Sequence, residues 1–343
     1  MKKSVIRYRV VFFLLVSAFL FGLVLGSTGT SEAAEDKAIE LTFQGKWSGH
    51  EKENWAAEQL KLTDYVKAAT NGRIVLKNMD EIVRDNEVLD AVRTGTLDMG
   101  CQTLFSRREL SLLNYISLPI VPHKKMPEIM GKLKPLFADV WANQLSVQQL
   151  GYAFFLTQNL YTKNPVTTLE ELKGKKLRVL GNSLVKLYKL AGAAPITMNQ
   201  AEVYTSLQRG LIDGAQTALP GYLSGAWYEV AKYMSAWPLG GSGMGIVMNK
   251  DVWNKLDPEL QKQFMSAMAI FEKAQFEGVY KDLDSAEKKA MSLGAIRKDP
   301  PQTEKDKLMA FVGEVLEDWK GTAGPHAGEV LKAVNEVLGT NYK

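Results

Sequence analysis

The chain has 343 residues, of which 46% are hydrophobic and 23% are charged, and it carries a formal net charge of +4. This length is enough for two domains, and the composition is that of an ordinary globular protein, which argues against a disordered chain or a coiled coil. Cys101 is the only cysteine, so no intrachain disulfide can form, and its strand-like surroundings predict a buried thiol.

The first 34 residues have the layout of a bacterial secretory signal. Basic residues at 2, 3, 7 and 9 precede a charge-free apolar run over 10–26, and small residues follow up to Ala33 and Ala34. We expect cleavage near Ala33 or Ala34 and a periplasmic mature protein. An uncleaved signal anchor is the alternative, because the apolar run approaches the shortest length that spans a bilayer.

Removal of residues 1–34 takes away four basic residues and one acidic residue, so the formal charge falls from +4 to +1. A nearly neutral mature protein gives no electrostatic reason to expect nucleic acid or an anionic membrane as a partner. We also expect a monomer.

In chain order, the first part of the mature sequence alternates between strand-like and helix-like segments. We predict strands over 39–43, 73–76 and 151–156 and helices over 50–70 and 126–149. A loop over 44–49 follows the first strand and would lie at its carboxyl end.

The second part repeats this alternation, with strands predicted over 176–180 and 196–198 and a helix over 183–191. Such alternation favours a mainly parallel sheet covered on both faces in each lobe. The apolar run over 243–248 is predicted to return to the first lobe as a strand.

A segment over 258–293 has no internal proline after its first residue and only one glycine, which predicts one long helix. At about 1.5 Å per residue it would extend roughly 50 Å and could brace both lobes. The tail over 303–343 is predicted to form two helices separated by residues 321–328.

These elements predict an α/β protein with two lobes. The predicted organisation is a signal peptide over 1–34, lobe I over 35–156 plus about 245–260, lobe II over 157–244, the long helix over 258–293 and C-terminal helices over 300–343.

One pattern occurs twice. Residues 87–103 read EVLDAVRTGTLDMGCQT and residues 202–217 read EVYTSLQRGLIDGAQT. Each copy is predicted to be a helix, a glycine that ends it, and a strand that ends in Gln-Thr. We refer to these segments as the lobe I echo and the lobe II echo. The repeat indicates two similar lobes that face each other.

The sequence contains none of the motifs that would indicate catalysis or a metal. Three scattered histidines and the absence of HExxH and CxxC predict no metal site, and no other cofactor is expected. Residues 240–245 (GGSGMG) have the composition of a phosphate loop, but they precede a strand, so a crossing between lobes is favoured. Ser242 does not fit the nucleophile elbow, because Met244 occupies its last position.

Arg178 is the most prominent candidate for binding. It alternates with Leu177 and Val179 in a predicted strand that runs into a Gly181-Asn182 turn, and a charged side chain there can point into a cleft. A guanidinium can hold a carboxylate through two parallel hydrogen bonds. An ordinary surface salt bridge is the alternative interpretation of the pattern.

Four segments resemble the extracytoplasmic solute-binding proteins of tripartite ATP-independent periplasmic (TRAP) transporters, the dicarboxylate-receptor type. They are LKGKKLRVLGN (172–182), GAAPITMNQAEVYTSLQRGLIDGAQT (192–217), EVLDAVRTGTLDMG (87–100) and IVMNKDVWNKLDPELQK (246–262). They occur in the family's order, and the resemblance covers nearly the whole mature chain. It implies two α/β lobes that close on a ligand, and delivery of that ligand to a membrane permease driven by an ion gradient.

In this family an arginine at the position of Arg178 clamps the ligand carboxylate. The chain departs from the family pattern at three places: Thr217 replaces a ligand-binding Asn, Gln200 stands where an aromatic residue is common, and a second Arg is replaced by Gln158 or Asn159. One cationic contact in place of two disfavours a dianion, so the resemblance implies a monocarboxylate with hydroxyl, amide or keto groups.

The remaining candidate ligand contacts come from loops and strand ends of both lobes. They are Trp47, Arg84, Gln102, Thr103, Asn182 and Gln216. The Gln-Thr pairs that end the two echoes could face each other across the cleft, or they could only cap strand ends. Trp47 could form an apolar wall of the site or pack between the first strand and helix.

The sequence therefore predicts a periplasmic protein that binds a small organic acid and has no catalytic function. A secreted enzyme on a similar scaffold and a sensory receptor for a membrane kinase are the alternatives. Ligand turnover would indicate the enzyme, and a neighbouring kinase gene without permease genes would indicate the receptor.

Overall fold

The computed structural model describes residues 37–46, 54–155 and 158–343. Within it the residues Ala38–Lys343 form one compact unit that is built on two β-sheets. The strands in chain order are β1 Ile39–Gln44, β2 Ile74–Met79, β3 Met99–Thr103, β4 Val147–Phe155, β5 Gln158–Thr162, β6 Lys176–Arg178, β7 Ala194–Ile196, β8 Gly214–Ala218, β9 Tyr233–Ser235, β10 Ser242–Asn249 and β11 Ile296–Arg297.

Twelve α-helices are present in the described part of the chain, together with short 3-10 turns. The helices are α1 Asn54–Ala69, α2 Val88–Arg93, α3 Met126–Asp139, α4 Leu169–Leu172, α5 Asn182–Leu190, α6 Gln200–Gln208, α7 Leu219–Ser224, α8 Lys250–Lys255, α9 Pro258–Ser292, α10 Gln302–Met309, α11 Val312–Ala323 and α12 Ala327–Leu338.

The first sheet has the strand order β2-β1-β3-β10-β4 and forms the centre of lobe I. Alternation along β1 places Leu41 and Phe43 on a buried face, where they meet Ile74 and Leu76 of the parallel neighbour β2. Side chains of α1 and α9 cover this face and complete one hydrophobic core. The second sheet has the order β11-β9-β5-β8-β6-β7 and forms the centre of lobe II.

The prediction of mainly parallel sheets is confirmed, except that each sheet contains one strand that runs against the others. In lobe I, β10 runs antiparallel between β3 and β4, and in lobe II, β5 runs antiparallel between β8 and β9. A parallel neighbour requires a crossover connection of a dozen or more residues. Strands that return directly from the other lobe have no such crossover.

The return of β10 to lobe I is confirmed, and the glycines before it make the crossing. Gly240 has φ of +65°, and a Cβ there would lie 2.6 Å from the carbonyl oxygen of Ser117. Its neighbour Gly241 donates its backbone N–H to the Ile116 carbonyl at 2.9 Å. Glycine is required because the chain approaches another backbone closely in a left-handed conformation.

The long helix is confirmed as α9, which has 35 residues and begins at the N-cap Asp257. Phe264 and Phe271 pack into the core of lobe I, whereas Ala290 packs into a core of lobe II. Gln275 donates to the carbonyl and accepts from the N–H of Phe154, at 2.8 and 3.0 Å. These bonds satisfy polar groups on β4, an edge strand of the first sheet.

The C-terminal tail has three helices rather than the predicted two. A turn at Ala310 and Phe311 separates α10 from α11, and the contacts of the two helices explain the turn. Glu304 of α10 accepts a hydrogen bond from the Leu169 N–H at 2.8 Å, while α11 packs on α5. Because α12 packs on α3, the tail reaches both lobes.

The predicted helix over 126–149 is too long, because α3 ends at Asp139 and a wide helical turn follows over Val140–Gln144. Strand β4 begins at Val147, after Ser146 with φ of +55°. Val147 and Leu150 are buried, so pairing with β10 and core packing decide the strand conformation there.

Candidate functional site

Arg178 is the last residue of β6, which lies between β7 and β8. Its Nε donates to the Met198 carbonyl at 3.2 Å, and its Nη1 donates to the Gln216 carbonyl at 3.0 Å. The guanidinium carbon lies 5.9 Å from the centroid of the Trp227 ring. Two carbonyls and a ring therefore fix the orientation of the guanidinium.

The Arg178 side chain is only 2% exposed, although it carries a charge. Within the described ranges no carboxylate pairs with it, and burial alone lowers the pKa of the guanidinium from 12.5 to about 10. The group stays protonated at neutral pH. A buried cation without a counterion is costly unless a ligand supplies the opposite charge.

Arg178 lines a cavity of about 630 Å³ between the two lobes. This volume suits a small molecule. Lobe I, lobe II and the crossing before β10 all contribute to its wall. The polar lining residues are Lys46, Asp85, Thr103, Ser117, Gln158, Arg178, Thr197, Asn199, Gln200, Glu202, Gln216, Thr217 and Ser242, and Phe105, Leu180, Leu184, Met198, Pro220 and Val279 are among the apolar ones.

A chain of amides connects the lobes along one wall of the cavity. Gln216 Nε2 donates to Gln158 Oε1 at 2.7 Å, and Gln158 Nε2 donates to Ser242 Oγ at 3.3 Å. Gln216 Oε1 also accepts the backbone N–H of Leu180 at 3.0 Å. Because Ser242 opens β10 of lobe I, this chain joins the site to both sheets.

Lobe I contributes a smaller polar cluster to the wall of the cavity. Lys46 Nζ lies 3.2 Å from Asp85 Oδ1, and the Thr103 hydroxyl donates to the same Asp85 oxygen. Lys46 follows β1, and Thr103 ends β3, so both lie at the carboxyl edge of the first sheet. The arrangement can bind and orient a polar solute.

The sequence profile of a family described as bacterial extracellular solute-binding protein, family 7 (DctP) matches residues 47–321. The chain belongs to this family. The resemblance to TRAP solute receptors is thereby confirmed, and the chain is a solute-binding protein.

A periplasmic binding protein of similar sequence supports the same assignment. This chain is 28% identical over 335 residues to the 2,3-diketo-L-gulonate-binding periplasmic protein YiaO of Escherichia coli strain K12. The match covers 93% of this chain and 97% of YiaO.

Solved structures share its fold. A TRAP periplasmic solute-binding protein from Desulfovibrio salexigens with bound orotic acid matches with a TM-score of 0.78 and 18% identity, covering 88% of this chain and 98% of that one. DctP7, a Bordetella pertussis extracytoplasmic solute receptor binding pyroglutamic acid, matches with a TM-score of 0.76 and 20% identity, covering 87% and 100%. Both confirm the two-lobed fold.

Six of the predicted site residues line the cavity of the solute-binding protein. They are Arg178, Thr217, Gln216, Gln158, Gln200 and Thr103. Gln200 opens α6, and a Cβ at Gly221 would lie 3.2 Å from its Nε2 and 2.7 Å from Thr217 Oγ1. Close approach of α7 at Gly221 thus holds these two side chains against the cavity.

Three predicted residues do not line the cavity. Gln102 is fully buried, and its Oε1 accepts the Leu89 N–H of α2 at 2.8 Å, so its side chain faces the helix. Arg84 and Asn182 are exposed, in the loop before α2 and at the first position of α5. Trp47 lies outside the described residues.

The sequence prediction missed Lys46, Asp85 and Ser242 as lining residues. Lys46 belongs to the loop over 44–49, which the sequence predicts at the carboxyl end of the first strand. The sequence therefore contained a reason to include Lys46 among the candidates. Nothing in the sequence indicated that Asp85 lines the cavity, because its proximity to Lys46 depends on the path of the loop after β2.

Across the described ranges, no group of three or more His, Cys, Asp or Glu side chains could hold a metal ion. In the same part of the chain no helix has both the length and the apolar character needed to cross a membrane. Cys101 is buried, and burial raises the pKa of its thiol, so the thiolate is disfavoured.

Proposed function

We propose that the protein captures a small organic acid in the cavity between its lobes and holds the carboxylate of that acid on Arg178. It does so in the periplasm and delivers the acid to a TRAP membrane permease driven by an ion gradient. The observation that carries this proposal is a buried guanidinium that lines the cavity and has no acidic partner in the described part of the chain.

The chemistry of the wall favours a single carboxylate surrounded by polar groups. Lys46 is paired with Asp85, which leaves Arg178 as the cation available to an anion. The amides of Gln158 and Gln216 and the hydroxyl of Thr217 offer donors and acceptors to hydroxyl, keto or amide groups. YiaO is named for 2,3-diketo-L-gulonate, and the two structural relatives bind orotic acid and pyroglutamic acid, all monocarboxylic acids with further polar groups.

Contacts from both lobes make ligand binding a way to stabilise a closed arrangement. Arg178 belongs to lobe II, whereas Thr103 belongs to lobe I, so one ligand can contact both. A ligand that binds the closed state better than the open state shifts the population towards it. The permease can then distinguish the loaded protein by the shape of the closed lobes.

The test is a thermal-shift screen of the mature protein with keto acids, sugar acids, hydroxy acids and heterocyclic acids. A bound acid raises the melting temperature, because ligand binding stabilises the native state by RT ln(1 + [L]/Kd). Arg178→Ala should lower the affinity at least about a hundredfold, since a charge-assisted bidentate contact is worth about 3 kcal/mol or more.

Arg84→Ala is the matched control, because Arg84 is exposed and does not line the cavity. It should leave the ligand-induced shift of the melting temperature unchanged. The proposal fails if no acid stabilises the protein, or if Arg178→Ala binds the acid as tightly as the wild type does. Permease dependence is measured separately, by uptake of the labelled acid in cells with and without the permease genes.

A further inference from the structure

The cavity is lined by two cations that are compensated in different ways. Arg178 has hydrogen bonds only to carbonyl groups, whereas Lys46 lies 3.2 Å from the Asp85 carboxylate. An anion placed at Arg178 therefore meets an uncompensated charge. An anion placed near Lys46 also meets the negative charge of Asp85, so the positions beside the two cations differ in what they can accept.

The two carboxylate oxygens of Asp85 differ in the hydrogen bonds that they accept from described residues. The hydrogen bonds from Lys46 Nζ and from the Thr103 hydroxyl both reach Oδ1. No hydrogen bond from another described residue reaches Oδ2. The Asp85 side chain is 24% exposed, and the residue lines the cavity. A carboxylate oxygen in this position accepts hydrogen bonds and cannot donate them when ionised.

The cluster also adjoins a second recess between the lobes. Lys46 and Asp85 line this recess of about 530 Å³ together with Gln200, Tyr204 and Trp227. The Lys46–Asp85 pair thus stands where the two spaces meet. A ligand whose carboxylate lies on Arg178 can extend towards this pair.

We propose that Asp85, held by Lys46 and Thr103, selects the end of the ligand that lies far from Arg178. Its carboxylate accepts a hydrogen bond from a hydroxyl or N–H group of the ligand and rejects a second carboxylate. The substrate class is then a monocarboxylic acid with a donor group at its far end. This inference rests on the proposed function, because it takes the carboxylate at Arg178 as its starting point.

The physical reason is a combination of attraction and repulsion. A neutral donor gains a hydrogen bond to a charged acceptor, whereas a second carboxylate would face Asp85 with its charge only partly balanced by Lys46. Removal of the Asp85 charge should reverse the preference, because Lys46 would then be an unpaired cation in the cavity. Selectivity against dicarboxylates is thus predicted to depend on the charge of Asp85, which with Glu202 is one of the two carboxylates that line the cavity.

The test measures the affinities of wild type and Asp85→Asn for sets of three acids that share a carbon chain and differ only at the far end. One set is D-gluconate, 6-deoxy-D-gluconate and D-glucarate, which end in a hydroxymethyl, a methyl and a carboxylate group. Further sets are 4-hydroxybutyrate, butyrate and succinate, and 5-hydroxypentanoate, pentanoate and glutarate.

Wild type should prefer the hydroxyl-terminated acid of the set that it binds best. Asp85→Asn should lower the affinity for that acid about ten- to a hundredfold, as expected for loss of a hydrogen bond to a charged group. It should also tighten binding of the dicarboxylate at least about tenfold. A second change, Lys46→Met in the Asp85→Asn background, should remove this gain.

Asp90→Asn is the matched control, because Asp90 is also paired with cations, Arg93 and Arg107, but does not line the cavity. It should leave the preference among the three acids unchanged. Far-ultraviolet circular dichroism and the melting temperature without ligand show whether each variant is folded. If Asp85→Asn does not fold, Lys46→Met alone is measured instead. That variant must bind dicarboxylates more weakly than wild type does and must retain the affinity for the hydroxyl-terminated acid.

The two proposals fail in different ways. If no acid binds, or if binding does not depend on Arg178, the proposed function fails and this inference with it. If an acid binds through Arg178 but wild type prefers the methyl- or carboxylate-terminated member, only the inference is overturned. It is equally overturned if Asp85→Asn keeps the wild-type preference.

Discussion

The lobe I echo and the lobe II echo share a scaffold and differ in the use of their strands. In both, a glycine with positive φ follows the helix, Gly95 at +78° and Gly210 at +74°. In both, an aspartate ties the strand to its parallel neighbour. Asp98 Oδ2 accepts the Thr42 N–H at 2.8 Å, and Asp213 Oδ2 accepts the Lys176 N–H at 2.8 Å.

Strand pairing identifies which positions of the two lobes are equivalent. Gln44 of β1 pairs with Gly100 of β3, and Arg178 of β6 pairs with Ala215 of β8. Gln44 therefore occupies in lobe I the position that Arg178 occupies in lobe II. The Gln44 side chain accepts from the N–H groups of Ile82 and Val83 at 2.9 and 3.1 Å, so it holds the loop that follows β2.

The two Gln-Thr pairs are not equivalent, although the letters match. Four positions separate Asp98 from Gln102, whereas three separate Asp213 from Gln216. Side chains alternate between the faces of a strand, so a shift of one residue turns a side chain to the other face. By pairing, Gln216 corresponds to Cys101 and Gln102 corresponds to Thr217, so the two glutamines lie on opposite faces of their strands.

The largest expected effect in this comparison separates Gln102 from Gln216. Gln102→Leu removes the acceptor of the Leu89 N–H and the donor to Ser106 Oγ, so it should lower the free energy of unfolding by about 1–3 kcal/mol. Gln216→Leu should weaken the bound acid at least about tenfold. Urea unfolding and titration calorimetry measure the two quantities. An equal loss of affinity in both variants would contradict the assignment of faces.

A smaller effect is expected from the two aspartates. Asp98→Ala loses two hydrogen bonds from Thr42, one from the backbone and one from the hydroxyl; because both are only partly buried, the loss should cost about 0.5–1.5 kcal/mol of unfolding free energy. Asp213→Ala loses an exposed bond from the Lys176 N–H and should cost less than half as much. Urea unfolding of both variants checks this order. A greater loss in Asp213→Ala would show that the two scaffolds are not equivalent.

The smallest effect is expected from pH, because only lobe II places a titratable group at the equivalent strand position. Burial lowers the pKa of Arg178 from 12.5 to about 10, so the cation persists at every pH below that value. A ligand carboxylate is ionised above its pKa of about 4. Affinity should therefore be constant from about pH 6 to 9.

Arg178→Lys provides the control for this profile. The ordinary pKa of a lysine, about 10.4, is lower than that of an arginine, so the same burial should make the affinity of the variant fall at a lower pH than that of wild type. Calorimetric titrations across this range measure both profiles. A wild-type transition between pH 6 and 8 would show that another group controls binding.

Particular elements show how far the sequence predicts the fold. Helix α9 and the return of β10 follow from an uninterrupted helical pattern and an apolar run, and both are present. The mixed direction of the sheets and the break between α10 and α11 were not predictable, because they depend on partners distant in the chain. Of the site, Arg178 was predicted from its strand and its motif, whereas Asp85 required the fold.

The sequence by itself determined the two α/β lobes, the family and Arg178 as the candidate cation for a ligand carboxylate. Those features lie in local periodicity and in contiguous motifs. Only the tertiary structure decided which polar residues surround the cavity. The face on which a side chain lies depends on strand register. The spacing between Asp98 and Gln102 is one residue longer than the equivalent spacing in lobe II, and the lobe I glutamine therefore faces its helix. The pairing of Lys46 with Asp85 depends likewise on two loops that meet only in the folded chain.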